Sequence, residues 1–220
     1  MPTAFGAFGK IPALGDFFRL NLPQGFVQAW DTWLQTALVE GRFQCGAGWT
    51  DRYMTAPIWR FALAPGYAGP EAMAGVMMPS VDRVGRQFPL TLAAVVPTDR
   101  PLRILALQAA ALEALELVAL DALDDAMTRE VLAERLAGIR LAPWADPSVV
   151  RASERGIVVS SSEPLALFTD LGLRSINCEA AFSTALEGHA RLMATRGLPE
   201  RREAAALFDL DAPIWSEGLT

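Results

Sequence analysis

Two apolar runs separated by a short polar bend constrain this chain more than any other feature. Ala74 to Met78 is unbroken apolar sequence that stops at Pro79. Ser80, Asp82, Arg83, Gly85 and Arg86 follow within seven residues, and a second apolar run resumes at Phe88. Two strands joined by a charged, glycine-containing connection have this pattern. If the backbone stays extended past Pro79, Ser80 and Asp82 share one face and Arg83 points the other way. Gly85 permits a turn that returns Arg86 to Asp82.

The segments around this bend follow the same logic. Ala4 to Phe8 reads as a short edge strand. Asn21-Leu22-Pro23 reads as a helix start, with Asn as cap and Pro in the first turn. Phe26, Trp30, Trp33, Leu34, Ala37 and Leu38 then recur at helical spacing, which places both tryptophans in the core. Gly41 to Asp51 reads as a loop and Thr55 to Leu63 as a strand with Trp59, Phe61 and Leu63 on one face. Ala72 to Met78 and Phe88 to Val96 are the strands around the bend. Successive strands without intervening helices suggest a largely antiparallel or mixed sheet.

Beyond Pro97 to Pro101 the pattern turns helical. Leu102 to Met127 reads as one long helix, and Thr128 caps a second that carries Leu132, Leu136 and Ile139. Gly156 to Ser160 reads as a buried strand, and Ser161 to Gly172 as a helix. Arg174 to Phe182 and His189 to Thr195 read as a closing strand pair. Residues 199–208 form a last helix, and Trp215 anchors the tail. The expected fold is a single α/β domain over residues 1–220, strand-rich over 1–97 and helix-rich over 98–220, with helices on both faces of the sheet.

Several functions are excluded by what is missing. The chain has 220 residues, a net charge of −6 and a single lysine, Lys10, so no basic block is available for phosphate neutralisation and no nucleic acid is expected. Zinc usually takes three or four Cys or His ligands, and this chain has only three such side chains, His189, Cys45 and Cys178, widely separated in sequence, so no zinc site is expected. No serine lies in GxSxG, and Gly9-Lys10 is followed by Ile-Pro where a phosphate loop needs Ser or Thr and a helix. The most apolar window, Ile104 to Leu123, carries four polar or charged residues and is no membrane span. With no secretion signal and two cysteines, a reducing, cytoplasmic setting is expected.

The charged residues of interest are Lys10, Asp16, Arg60, Ser80, Asp82, Arg83 and Arg86. Arg60 lies between Trp59 and Phe61, where a guanidinium requires a carboxylate or carbonyl partner. Asp82 and Asp16 are the candidates. Three roles compete: an internal ion-pair network, a recognition surface built from Lys10, Arg83, Arg86 and nearby aromatics, or an anion- or nucleotide-binding site using the same three cations. No catalytic constellation, cofactor site or metal site is read from the sequence.

Phe8-Gly9-Lys10-Ile11-Pro12, Gly15-Asp16-Phe17, Leu22-Pro23 with Phe26, Trp30 and Trp33, Thr55 to Phe61, and Pro79 to Arg86 followed by Phe88-Pro89-Leu90 occur in this order. In this the chain resembles the TagF/ImpM family of type VI secretion-associated proteins. The resemblance implies an α/β sandwich and a cytoplasmic accessory protein, not an injected effector; with no catalytic constellation in the sequence, no enzyme is expected. The resemblance further implies a post-translational repressor that binds a forkhead-associated-domain scaffold of the apparatus, with no direct membrane insertion. It assigns no catalytic residues.

Overall fold

A computed structural model describes residues 4–98, 100–144, 149–153, 156–160, 178–186 and 189–217. Its centre is a seven-stranded sheet in which every neighbouring pair is antiparallel. The strands are β1 (Gly6–Gly9), β2 (Phe18–Leu20), β3 (Trp59–Leu63), β4 (Ala72–Met78), β5 (Leu90–Val96), β8 (Ala180–Leu186) and β9 (His189–Thr195), in the spatial order β2-β1-β5-β4-β3-β8-β9. Strands β6 (Val149–Ser153) and β7 (Gly156–Ser160) form a separate hairpin. β1 is therefore an inner strand, paired with β5 on one side and β2 on the other, whereas the sequence pattern placed it at an edge. The late pair β8–β9 completes the sheet by pairing β8 with β3.

Alternation divides the side chains between two cores. Trp59, Phe61 and Leu63 of β3 and Met73 and Met77 of β4 face one side, where they meet Phe26, Trp30, Trp33 and Leu34. Those four belong to helix α1 (Gln24–Cys45) and fall on one helical stripe. Helices α2 (Trp49–Thr55) and α6 (Arg201–Ala206) complete that layer. Val76, Met78, Leu90 and Leu92 face the other side and meet Leu112, Leu115, Leu132 and Leu136 of α4 (Ala109–Asp121) and α5 (Arg129–Gly138). Helix α3 (Pro101–Leu107) covers Ala62, Ala72 and Ala74 on the same side through Ile104. The sheet thus carries helices on both faces.

Three local readings change, each for a physical reason. The stretch 41–55 is helical: α1 continues to Cys45, and a short 3-10 turn (Gly46–Gly48) leads into α2. Gly41 acts as a packing notch, since a Cβ there would lie 2.3 Å from the Trp49 indole. Strand β3 accordingly begins only at Trp59. Asn21 does not cap α1: it adopts a positive φ of 50°, and Pro23 occupies the cap position without a side-chain bond. The expected long helix 102–127 breaks at Gln108, whose fully buried amide turns away to hold Ala142. It accepts from Ala142 N–H at 2.7 Å and donates to the Ala142 carbonyl at 3.2 Å, so the helix interruption satisfies both polar groups.

Other expectations are met. Thr128 caps α5 by accepting from Val131 N–H at 3.2 Å. Trp215, in the final turn α7 (Ile214–Glu217), stacks on Trp59 with ring centroids 5.5 Å apart. The helix read over Ser161 to Gly172 lies outside the described residues. No described helix is long and apolar enough to cross a membrane.

Candidate functional site

The polar bend is a hairpin closed by a bridge between Val81 and Gln87. Asp82 N–H donates to the Arg86 carbonyl at 3.2 Å, and Gly85 N–H donates to the Asp82 carbonyl at 2.8 Å. Gly85 has φ +82°, a left-handed conformation that glycine adopts without steric cost. The turn that Gly85 permits brings Arg86 back to Asp82.

Asp82 is the hub. Its Oδ1 accepts from Val84 N–H at 3.1 Å and Arg86 N–H at 2.9 Å. Its Oδ2 accepts from Arg86 Nε at 2.6 Å and pairs with Lys10 Nζ at 3.0 Å. Burial pushes this carboxyl towards the neutral form. The four donors, led by the Arg86 N–H and the Lys10 ammonium, outweigh that and hold its pKa well below the usual carboxylate range.

Lys10 reaches this carboxylate from the end of β1 and is 5% exposed. Its ammonium also sits 4.7 Å from the centroid of Phe17, a cation–π contact, and Phe17 packs edge-on against Phe88 at 4.7 Å. Arg86 donates to the Gly15 carbonyl at 2.8 Å, and Arg83 N–H donates to the Leu14 carbonyl. The hairpin is thereby tied to the loop between β1 and β2.

A second anchor comes from α2. Tyr53 is fully buried and its hydroxyl donates to the Ser80 carbonyl at 2.8 Å while accepting from Ser80 N–H at 3.0 Å. Trp49 Nε1 donates to Gln87 Oε1 at 2.6 Å. Burial pushes the Tyr53 hydroxyl pKa above the ordinary phenol range. The Ser80 side chain is also buried, and its Oγ has no hydrogen-bond partner, so the structure gives it no base.

The tip is the opposite of the base. Arg83, Val84 and Gly85 are exposed, with Val84 at 71%, whereas Arg86, though also exposed, is bonded into the base. Among the described residues no carboxylate pairs with Arg83. Exposed Phe17 flanks the hairpin through Phe88.

The seven charged or polar candidates therefore separate. Lys10, Ser80, Asp82 and Arg86 meet in one locked base, and Arg83 projects from it. Asp16 is exposed and its carboxylate accepts from Phe17 N–H at 2.8 Å, shaping its own loop. Arg60 joins neither: it lies in β3 and makes a two-pronged pair with Glu116 of α4, both contacts 2.7 Å. That corrects the expectation of an Asp82 or Asp16 partner. The pairing raises the Arg60 pKa further. Glu116 is 56 residues away in sequence, and nothing local marks it as the partner. Trp49 falls in the stretch that reads as loop, and Tyr53 lies between that loop and the expected strand, so neither is singled out by the sequence; their four-residue spacing, one helical turn, is the signal that locates them.

Among the described residues no group of three or more His, Cys, Asp or Glu side chains is placed to hold a metal. Cys45 and Cys178 are free thiols, and burial, with Glu179 nearby, pushes Cys178 up to about 11. The His189 side chain lies outside the described residues.

Residues 6–139 match the family model described as TagF N-terminal domain, type VI secretion system-associated. The chain belongs to the TagF family. In this TagF-family chain the matched region contains the entire hairpin, both of its anchors and the Arg60–Glu116 pair. The fold is also similar to the crystal structure of PA0076 from Pseudomonas aeruginosa PAO1, solved at 2.05 Å. The TM-score is 0.76 and the identity 30%, over 93% of this chain and 94% of that one. A search among curated proteins finds no match.

Proposed function

We propose that this TagF-family protein restrains type VI secretion in the cytoplasm by binding a forkhead-associated-domain scaffold of the apparatus, with the tip of the 82–86 hairpin in the contact. Family membership supports the setting. The observation that carries the choice of surface is the contrast between a base locked on buried Asp82 and a tip that leaves Arg83 and Val84 in solvent. A preorganised loop loses little conformational freedom on binding, and arginine and aromatic residues are favoured at interfaces. The 220 residues act as one unit by occupancy: scaffold held by this protein is withheld from assembly. No bond-breaking step is involved.

Deleting the protein should raise secretion of the tube protein, and co-purification should recover the scaffold. Unchanged secretion with no scaffold recovered would contradict the proposal. So would a nucleotide-dependent rise in melting temperature that Arg86→Ala abolishes, which would return Lys10, Arg83 and Arg86 to an anion-binding role.

A further inference from the structure

Helix α4 has two apolar sides. Leu112, Leu115, Val118 and Ala119 face the sheet and are buried. Leu117 and Leu120 point away and are 62% and 50% exposed. Leu123, just past the helix end, and Val131, in the first turn of α5, add to the exposed apolar surface. Between the two helices lies an open groove of about 450 Å³, lined in part by Leu120, Met127, Val131 and the ion-paired Asp121 and Arg135.

The charge around this groove is one-sided. Glu113, Asp121, Asp124, Asp125, Glu130 and Glu134 are all exposed in α4, α5 and their connection. Arg60 of β3 lies near Glu113, and two arginines of the segment itself oppose the rest. Arg135 is spent on Asp121, and Arg129 lies over the Phe18 ring at 5.9 Å. From Glu113 to Arg135 the chain holds seven carboxylates and two arginines, a net −5, against −6 for the whole protein. Glu116 is taken by Arg60, so six carboxylates against two arginines, a net −4, remain in this segment.

This combination selects the occupant. An acidic rim repels nucleic acid and anionic membrane surfaces. It equally repels a second copy of the same face. A groove between two helices lined by Leu120, Met127 and Val131, with Leu117 and Leu123 also exposed on α4 and just past its end, suits a third helix, and the rim requires that helix to carry lysine or arginine beside its apolar stripe. We infer that the α4–α5 face is a second docking surface, on the opposite side of the sheet from α1, and that it takes a cationic amphipathic helix of a partner protein.

The test uses a fluorescein-labelled 14-residue peptide of leucine and lysine only, with leucines at helical spacing. A scrambled peptide of identical composition is the control. Fluorescence anisotropy against the full chain should show the amphipathic peptide binding at least about tenfold more tightly than the scrambled one. Amide shift changes in NMR should be confined to residues 113–135. Leu117→Asp with Leu120→Asp should remove that preference. Asp125→Lys with Glu134→Lys, which leaves the apolar surface intact, should weaken binding several-fold and flatten its salt dependence. Arg83→Glu should leave peptide binding unchanged, which separates this surface from the hairpin. Equal binding of both peptides, shifts spread over the molecule, or full affinity in both double variants would overturn the inference. So would a dimer in gel filtration that the leucine variant makes monomeric.

Discussion

Removing one oxygen atom tests how the hairpin is held. Tyr53→Phe keeps the ring, which is fully buried against Trp49 and Phe208, and deletes only the hydroxyl. The Ser80 carbonyl keeps a donor, because Phe88 N–H also reaches it at 3.0 Å. Ser80 N–H has Tyr53 Oη as its acceptor, and Ser80 is buried, so the variant leaves that donor unsatisfied. An orphaned buried donor costs about 1–3 kcal/mol, and we expect a loss of about 2 kcal/mol. For a chain of this size each kcal/mol lowers Tm by about 2–4 °C, which gives a fall of roughly 4–8 °C. Urea unfolding followed by tryptophan fluorescence should show a lower midpoint with an unchanged slope. A loss below about 0.5 kcal/mol would refute the reasoning, because Ser80 N–H would then have another acceptor.

The same substitution carries a pH signature. Tyr53 has its pKa raised on folding by burial. Its contribution is complete below the unfolded value of about 10 and is lost as pH rises through the folded value. The stability gap between wild type and Tyr53→Phe should therefore narrow above about pH 10.

Other expected outcomes follow from the same geometry. Asp82 has a depressed pKa, so its stabilisation is present above the free aspartate value of about 3.9 and lost as pH falls towards the folded value. Asp82→Asn should be less stable than wild type at pH 7, with the gap closing in acid melts. Arg60→Leu strands Glu116, whose side chain is about one-fifth exposed, and should cost about 1–3 kcal/mol by chemical denaturation. Adding Glu116→Leu should recover part of that loss, because the orphaned carboxylate is gone. Gly85→Ala meets no neighbouring atom but must keep a positive φ, so it should cost about 1–2 kcal/mol, and Gly85→Asn less. Cys178 is buried with its thiol pKa raised to about 11, and it should react with a thiol probe only on unfolding.

How much of this was legible in the sequence depends on the range of the interaction. The β4–bend–β5 unit reads directly, because its alternation, its proline stop and the Asp82–Gly85–Arg86 turn are all local. Trp30 and Trp33 read as core for the same reason. What stayed hidden was set by contacts distant in the chain. Gly41 looks like a loop residue until Trp49 is seen filling its space. Gln108 looks helical until Ala142 is seen bonding its amide. Arg60 demanded a partner, but the sheet register and α4 together decide that the partner is Glu116. At the hairpin, Lys10 and Asp82 were both singled out, yet only the fold shows Lys10 buried beneath the tip and unavailable to it.

The central claim is that the exposed tip of a rigidly based hairpin contacts the scaffold. Arg83→Glu combined with Val84→Asp changes two exposed side chains and none of the donors to Asp82. The decisive measurement is scaffold affinity of this variant beside its melting curve. The expected result is at least about a tenfold loss of affinity by a variant that still unfolds in one cooperative transition well above the assay temperature, since every donor to Asp82 is retained. Undiminished scaffold binding by a fully folded variant would contradict it.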